Sequence, residues 1–349
     1  MSEPALGVVV VTFNSADVIL DCLESLLNST GVRLAVAVVD NASTDGTPAL
    51  VRDWAAGRHA YVNPGDLPFD LSPAAKPLPL AAASDAPLAD KGHRITLLET
   101  GVNGGFAAGV NHGLAHLATD PGLDRFWVLN PDGVPAPETA RSFATAPGGF
   151  SLMGGRVLYL DGQGNNSIQV DGGKMRRTGV SATVNKFLPH PGTPMPEAGD
   201  LDFITGASMV ASRAFYEAAG LMPEDYFLYY EEVDWASRRG DMPLACIDGA
   251  VVWHRAGTSI GSGSPGQSAS PMSHYFLHRG RMRFVRRVCP QNLPFAFAYT
   301  CYRLLRLLPK RSWAEFDALA RGGLGLPPPR AVRERLSPEA QDRAFGRRG

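Results

Sequence analysis

Cysteine is scarce: four in 349 residues, Cys22, Cys246, Cys289 and Cys301, with no two close together. That spacing excludes a zinc knuckle or a thiol relay and points to free, packed thiols in a reducing compartment. An excess of one charge is missing too. With 33 basic and 34 acidic residues the formal net charge is -1, so the whole molecule has no nucleic-acid footprint. No uninterrupted apolar run approaches the ~20 residues a membrane-spanning helix needs. The start, Met1-Ser2-Glu3-Pro4, has no basic region ahead of an apolar one and reads as no signal peptide. No Gly-x-Gly-x-x-Gly follows the first strand-like run, which argues against a dinucleotide site.

What is present alternates between strand-like and helix-like stretches. Gly7 to Phe13 is a β-branched run of the kind buried in a parallel sheet. Asn14-Ser15 follows, with Ser15 expected to cap a helix in which Val18, Ile19, Cys22, Leu23, Leu26 and Leu27 recur at helical spacing. Val32 to Val39 predicts a second strand, ending in Asp40-Asn41-Ala42-Ser43-Thr44-Asp45-Gly46, and a second helix starts near Pro48. Strand, helix, strand, helix with a polar loop after each strand predicts a doubly wound α/β sheet. Residues 57–93, rich in proline and alanine and without period, read as a mobile insertion or surface loop. Ile95 to Leu98 resumes the strands, and the glycines of Gly101 to Gly109 are expected to let backbone approach a ligand closely.

The stretch Phe126-Trp127-Val128-Leu129-Asn130-Pro131-Asp132-Gly133 is an apolar strand that stops at a turn bearing one carboxylate. At the carboxyl end of such a strand Asp132 would face the ligand cleft, where a cation bridging to phosphate needs an oxygen ligand. Strand-like segments follow at Ser151 to Leu160, Asp202 to Ala211 and Leu244 to Val252, the last running into Trp253-His254-Arg255. Between them Tyr226-Phe227-Leu228-Tyr229-Tyr230-Glu231-Glu232-Val233-Asp234 starts a helix. Its acids suit the positive end of the helix dipole, and aromatic packing beside two carboxylates also raises a carboxyl pKa and prepares a base.

These stretches together resemble glycosyltransferase family 2, of GT-A fold, in its rhamnosyltransferase-like branch. The resemblance rests on Val10 to Asn14, Val39 to Gly46, Asn103 to Asn111, Leu129 to Asp132, Thr205-Gly206-Ala207, Phe227 to Asp234 and His254, which occur in the family's order over residues 7 to 260. It implies a mixed, mostly parallel Rossmann-like sheet flanked by helices, with a catalytic domain over 1–260. Thr12, Asn14 and Asp40 match the loops that cradle the nucleoside, with Asp40 at the pyrimidine base. Asn103 and Gly104 match the loop over the nucleotide-sugar, with Asn130 beside it. Asp132 matches the metal-binding acid, His254 a later histidine that joins the metal or diphosphate, and Glu232 the catalytic base. Two departures stand out. Asn130-Pro131-Asp132 replaces the usual acid pair, so a Mg²⁺ or Mn²⁺ would be held mainly by the substrate's diphosphate. Glu232 stands where family members more often have Asp, which leaves Glu231 and Asp234 as alternative bases.

The activity so implied is inverting transfer of a sugar, rhamnose by branch, from a UDP- or dTDP-sugar to a hydroxyl of a glycan or lipid-linked acceptor in cell-surface polysaccharide synthesis. Two alternatives share the sheet: a sugar-phosphate nucleotidyltransferase, whose basic N-terminal Gly-rich loop is missing, and a sugar- or partner-binding relative without chemistry. Residues 261–322 form a basic amphipathic helical region. From His274 to Trp313 there is no acid, while nine basic residues interleave with aromatics and leucines. Solvated arginines on packed helices explain this, and so does peripheral contact with an anionic membrane at the inner face of the cell membrane. The protein is otherwise expected in the cytoplasm, and 323–349 as a loosely ordered tail.

Overall fold

The computed structural model describes residues 3–67, 69–81, 92–160, 167–255 and 269–346. The first half builds β1 (Ala5–Thr12), α1 (Ile19–Leu27), β2 (Arg33–Asp40), α2 (Thr47–Ala55), β3 (Leu80–Ala81), β4 (Arg94–Glu99), α3 (Phe106–Ala118) and β5 (Arg125–Leu129). After the Asn130-Pro131-Asp132 turn come β6 (Gly133–Pro135), α4 (Thr139–Thr145), β7 (Leu152–Tyr159), β8 (Ile168–Val170), β9 (Gly173–Met175) and β10 (Ser181–Thr183). Then follow β11 (Ser208–Ser212), α5 (Arg213–Ala219), α6 (Glu231–Ser237) and β12 (Ala245–His254). The main sheet runs β3-β4-β2-β1-β5-β11-β7-β12-β6, with β8 also paired to β7. From β3 to β5 every pairing is parallel. β11 then enters antiparallel on both sides, so the sheet is mixed, as expected.

Period-two alternation sorts the strands into two cores. On β1, Val9 and Val11 face the core shared with Val110, Leu114 and Leu117 of α3. Leu6, Val8 and Val10 face the opposite core, with Ile19, Leu23 and Leu26 of α1 and Trp54 of α2. The same division holds for β5, where Phe126 and Val128 go one way and Trp127 and Leu129 the other. Helices on both faces explain why these strands are apolar throughout. Ser15 does not cap α1 with its side chain: its hydroxyl accepts from the Phe13 amide, and the residue before α1 offers no side-chain cap. The strand expected from Asp202 begins only at Ser208, because residues 205–207 are drawn into the turn facing Asn130.

The insertion is anchored along its described residues, while 82–91 lie outside them. Buried Glu24 accepts from Trp54 Nε1 at 2.7 Å, Ala74 N at 2.7 Å and Lys76 Nζ at 2.8 Å. Tyr61 donates to Asp21 at 2.8 Å, and β3 extends the sheet edge. It is a strap across α1 and α2 rather than a free loop. The C-terminal part forms α7 (Pro271–Val288), α8 (Leu293–Leu307), α9 (Trp313–Leu324), α10 (Arg330–Arg333) and α11 (Pro338–Phe345), and residues 261–268 lie outside the description. The expected loose tail is packed: Val332, Leu336, Ala340 and Ala344 are buried with Phe227, Leu228, Tyr275 and Phe276. Their small apolar side chains seat it on the aromatic segment ahead of α6.

The close fit of α3 on β1 depends on glycine. A Cβ at Gly113 would lie 2.5 Å from Cγ1 of Val9, a branched side chain with little freedom to move. Alanine there gains ~1 kcal/mol of helix propensity and meets ~1–3 kcal/mol of overpacking. Gly113→Ala is therefore expected to lower stability by ~1 kcal/mol in urea unfolding.

Candidate active site

The carboxyl ends of β1, β2 and β5 fall at one edge because the strands pair in register, Thr12 with Asp40 and Val10 with Leu129. Thr12 is fully buried, and its hydroxyl donates to Asp40 Oδ1 at 3.0 Å, while Ser43 N donates to Asp40 Oδ2 at 3.0 Å. Thr12 thus aims Asp40 rather than facing a ligand itself. Asn14 staples the two loops together: its amide N donates to Ser43 Oγ at 2.9 Å, and its Oδ1 accepts from Thr44 N at 2.8 Å. Asn103 Oδ1 accepts from Asn41 Nδ2 at 3.2 Å and from Gly105 N at 2.9 Å. Asn41 also donates to Gly105 O at 2.9 Å and accepts from Gly104 N at 3.3 Å. Asn41 is therefore the hub of this loop, a residue the sequence showed only as part of a motif.

The glycines after Asn103 do different work from that expected. At Gly105, φ is +90° and a Cβ would lie 2.3 Å from Phe227 O, which also accepts from Phe106 N at 3.0 Å. The close backbone approach there is to the aromatic segment, so the loop above the nucleotide side is bolted directly to the segment that delivers Glu231 and Glu232.

Asp132 and His254 meet. His254 ends β12 opposite Gly133, the first residue of β6, and its Nε2 lies 2.9 Å from Asp132 Oδ1. Asn130 Nδ2 is 3.1 Å from the same Nε2, and Gln169 Oε1 is 2.9 Å from Nδ1. Gln169 Oε1 holds the ring from Nδ1, while Nε2 faces both the Asn130 amide and the Asp132 carboxylate. Imidazole nitrogen and carboxylate oxygen thus present a pair of donor atoms side by side, an arrangement that suits a cation. Two neighbouring ligands of an octahedral ion at ~2.1 Å lie ~3 Å apart, close to the spacing observed. Among the described residues no group of three or more His, Cys, Asp and Glu gathers as a metal cage. The donor set of one carboxylate and one imidazole fits an ion completed by substrate oxygens. Gln169, which orients the histidine, lies in an irregular stretch whose sequence gave no signal.

A salt-bridge strap holds this corner. Arg255 N donates to Asp132 O at 3.2 Å, and the Arg255 guanidinium bonds Asp66 at 2.7 and 2.9 Å and Asp21 at 3.2 Å. The strap residues thus reach the turn that presents Asp132.

Glu232 lies on the other side of the Thr205-Gly206-Ala207 segment. A Cβ at Gly206 would be 3.8 Å from Glu232 Cβ and 3.4 Å from the Phe106 ring, and Ala207 O accepts from Asn130 N at 3.0 Å. One tripeptide therefore separates the base candidate from the Asn130–Asp132 turn. The backbone entering α6 is strained. Phe227, Tyr229 and Tyr230 all have positive φ, 67°, 66° and 75°, as do Asn14 and Ala42 on the nucleoside-side loops. Each costs ~1–3 kcal/mol and persists only where surroundings enforce it. Tyr230 OH donating to Gly179 O at 2.7 Å and Tyr229 OH to Ser273 Oγ at 3.1 Å supply that enforcement.

The three acids of α6 have different environments. Glu232 is partly exposed, and burial pushes its carboxyl up to about 7, against the pull of backbone N–H groups at the helix start. Glu231 is buried with Oε2 unpartnered, and desolvation, then the neighbouring Glu232 charge, raises it well above the carboxylate range. Asp234 is turned away. It accepts from Tyr226 OH at 2.7 Å, Arg238 Nε at 3.0 Å and Arg287 Nη1 at 3.0 Å. It anchors α7 to α6, its carboxylate held by a tyrosine hydroxyl and two guanidiniums. Asp234→Asn is expected to cost ~2–3 kcal/mol in chemical unfolding, since it weakens charge-assisted bonds around a buried group. Glu232→Gln, which removes a carboxylate that burial disfavours, should leave stability unchanged or raised.

Comparison with known proteins bears on the family and the fold. Residues 7–65 match the model of glycosyl transferase family 2. Over 295 residues, 78% of this chain and 81% of the relative, it is 26% identical to N-acetylglucosaminyl-diphospho-decaprenol L-rhamnosyltransferase of Mycobacterium tuberculosis. It is 27% identical over 149 residues, 41% of this chain and 46% of the relative, to the low-salt glycan biosynthesis hexosyltransferase Agl10 of Haloferax volcanii. Among solved structures, a mannosyltransferase from Pyrobaculum calidifontis in complex with GDP-Man and Mn²⁺ superposes with a TM-score of 0.50 at 18% identity, covering 92% of this chain and 87% of that one. The chain is thus a glycosyltransferase of the GT-A fold, whose N-terminal segment matches family 2 and which is similar over most of its length to a rhamnosyltransferase.

Proposed function

We propose that the chain transfers rhamnose, with inversion, from a UDP- or dTDP-sugar to a hydroxyl of a lipid-linked, N-acetylglucosamine-bearing acceptor in cell-surface polysaccharide synthesis. The observation that carries the reading is the convergence of Asp132 and His254, 2.9 Å apart, on the sheet edge that also holds Asp40, with Glu232 one tripeptide away. The Mycobacterium tuberculosis relative, whose name specifies such an acceptor and sugar, supports the choice of both.

In this reading Asp40, held by Thr12 and Ser43, receives the base of the nucleoside. Asn103 and Gly104, organised by Asn41, close over the donor. Asp132 and His254 would hold Mg²⁺ or Mn²⁺, and when bound that ion supplies positive charge where the departing diphosphate gains negative charge. Asn130 and Gln169 hold the His254 ring with Nε2 beside Asp132. Glu232 Oε takes the proton from the acceptor hydroxyl as its oxygen attacks the anomeric carbon opposite the diphosphate. A carboxyl near 7 is well matched to that task, because a base works best when its pKa lies close to the working pH. Single displacement with inversion suits the site, since Glu231 is buried and Asp234 is engaged, leaving Glu232 alone as the reacting acid.

Transfer from dTDP-rhamnose to a lipid-linked N-acetylglucosamine acceptor should fall ~10²–10⁴-fold in Glu232→Gln, while binding of the nucleotide, read by thermal shift, is retained. Near-full turnover by that variant overturns the assignment. The proton acceptor must be ionised, so kcat/KM should rise with pH and level off through about 7, and Glu232→Gln should lose this limb.

A further inference from the structure

The helix α8 is apolar on both sides. Ala296, Thr300 and Leu307 face inward and are buried against the protein. On the opposite side Phe295, Phe297, Ala298, Cys301, Tyr302 and Leu305 are exposed, Leu305 at 63%. Leu308 and Trp313, the latter 62% exposed, continue the exposed apolar surface into the turn and the start of α9. A helix packed on a water-soluble domain normally turns charge outward, and on the outer side of α8 the charged residue is Arg306.

Charge borders this face in one sign. Arg306 donates to Tyr302 OH at 3.0 Å and lies over its ring, Arg303 does the same with Tyr299 at 3.0 Å, and Lys310 and Arg311 follow, both exposed. No acid occurs from His274 to Trp313. The arginines of α7, which the sequence grouped with these, are largely engaged within the fold: Arg279 with Ala344 O, Arg281 with Thr178 O and Ala296 O, and Arg287 with Asp225 and Asp234. The cationic rim of this face is therefore supplied by α8 and the turn after it, with Arg286 the exposed arginine of α7 outside those pairings.

We infer that the outer face of α8 is a docking surface for an anionic lipid bilayer. Aromatics and leucine would enter the headgroup boundary, and Arg306, Lys310 and Arg311 would reach up to lipid phosphates. Charge complementarity selects this occupant over a second copy, whose face would bring the same positive rim against it. The inference extends the proposed lipid-linked acceptor, since docking here brings the enzyme to the phase that holds such a substrate. Among the described residues no helix is long and apolar enough to cross a membrane, so the contact is peripheral.

The test is flotation of the full chain with phosphatidylcholine vesicles, with and without phosphatidylglycerol, across a salt series. Binding should require phosphatidylglycerol and weaken with salt. At ~1 kcal/mol per basic residue, R306Q/K310Q/R311Q should bind ~10²-fold more weakly, and F295S/L305S at least ~10-fold more weakly. Both variants should keep the wild-type melting temperature and transfer to a soluble acceptor analogue. Failure of the wild type to float, equal binding by the variants, or a dimer that F295S/L305S dissociates would each overturn the inference. Vesicle binding by a chain without transferase activity would instead retain the surface and overturn the proposed reaction.

Discussion

The contact between a carboxylate and an imidazole at the mouth of the sheet is what the rest of the arrangement serves. Asp132 follows β5, where the uninterrupted run of parallel pairings from β3 ends, and His254 ends β12, which joins the sheet two strands beyond the antiparallel β11. They meet because the short β6 folds back from the Asn130–Asp132 turn and pairs with the end of β12, Gly133 opposite His254. Both side chains are largely buried, so each needs its partner: an isolated carboxylate or a disordered imidazole there would be costly. Asn130 and Gln169 fix the ring, and Arg255 fixes the backbone of Asp132 from behind.

Around this pair the molecule concentrates its strain. Asn14 and Ala42 bend the nucleoside-side loops, and Phe227, Tyr229 and Tyr230 bend the segment before α6, all with positive φ. Strain of that order needs a rigid surround, and the C-terminal helices provide it. Ser273 of α7 takes the Tyr229 hydroxyl, Arg287 pairs with Asp234, and the α10–α11 tail covers Phe227 and Leu228. The C-terminal block therefore acts as the backing of α6. The insertion plays the same part on the other side, through Asp66, Tyr61 and Lys76.

Much of this was legible in the chain. The β-branched run at Gly7 to Phe13 and the apolar run before Asn130 could hardly be other than central strands, and the polar residues that end them lie at one edge as anticipated. Legibility failed where a residue's role depends on what lies across space. Thr12 looked like a ligand residue and proved to be the support of Asp40, because a β-strand terminus is as easily buried as exposed. Gly105 serves the Phe227 backbone, since a glycine reveals that something comes close and not what. Proline-rich 57–81 had no period to read, yet buried Glu24 captures it. Asp234, one helical turn from the other acids' neighbours, is claimed by arginines whose positions no local pattern encodes.

By itself the sequence determined the α/β class and the order of the long strands and first helices, because periodicity and turn chemistry are local properties, and the family resemblance named the remaining candidate acids. Tertiary structure alone decided that Glu231 is buried, that Asp234 is paired with arginines and that Glu232 stays partly exposed. It also decided which side of α8, within the basic amphipathic region read from the sequence, is left uncovered: the aromatic one. Burial, desolvation and pairing are set by neighbours across space, as Arg287 is for Asp234 and His254 for Asp132, and a carboxylate's readiness to hold or release a proton follows from them.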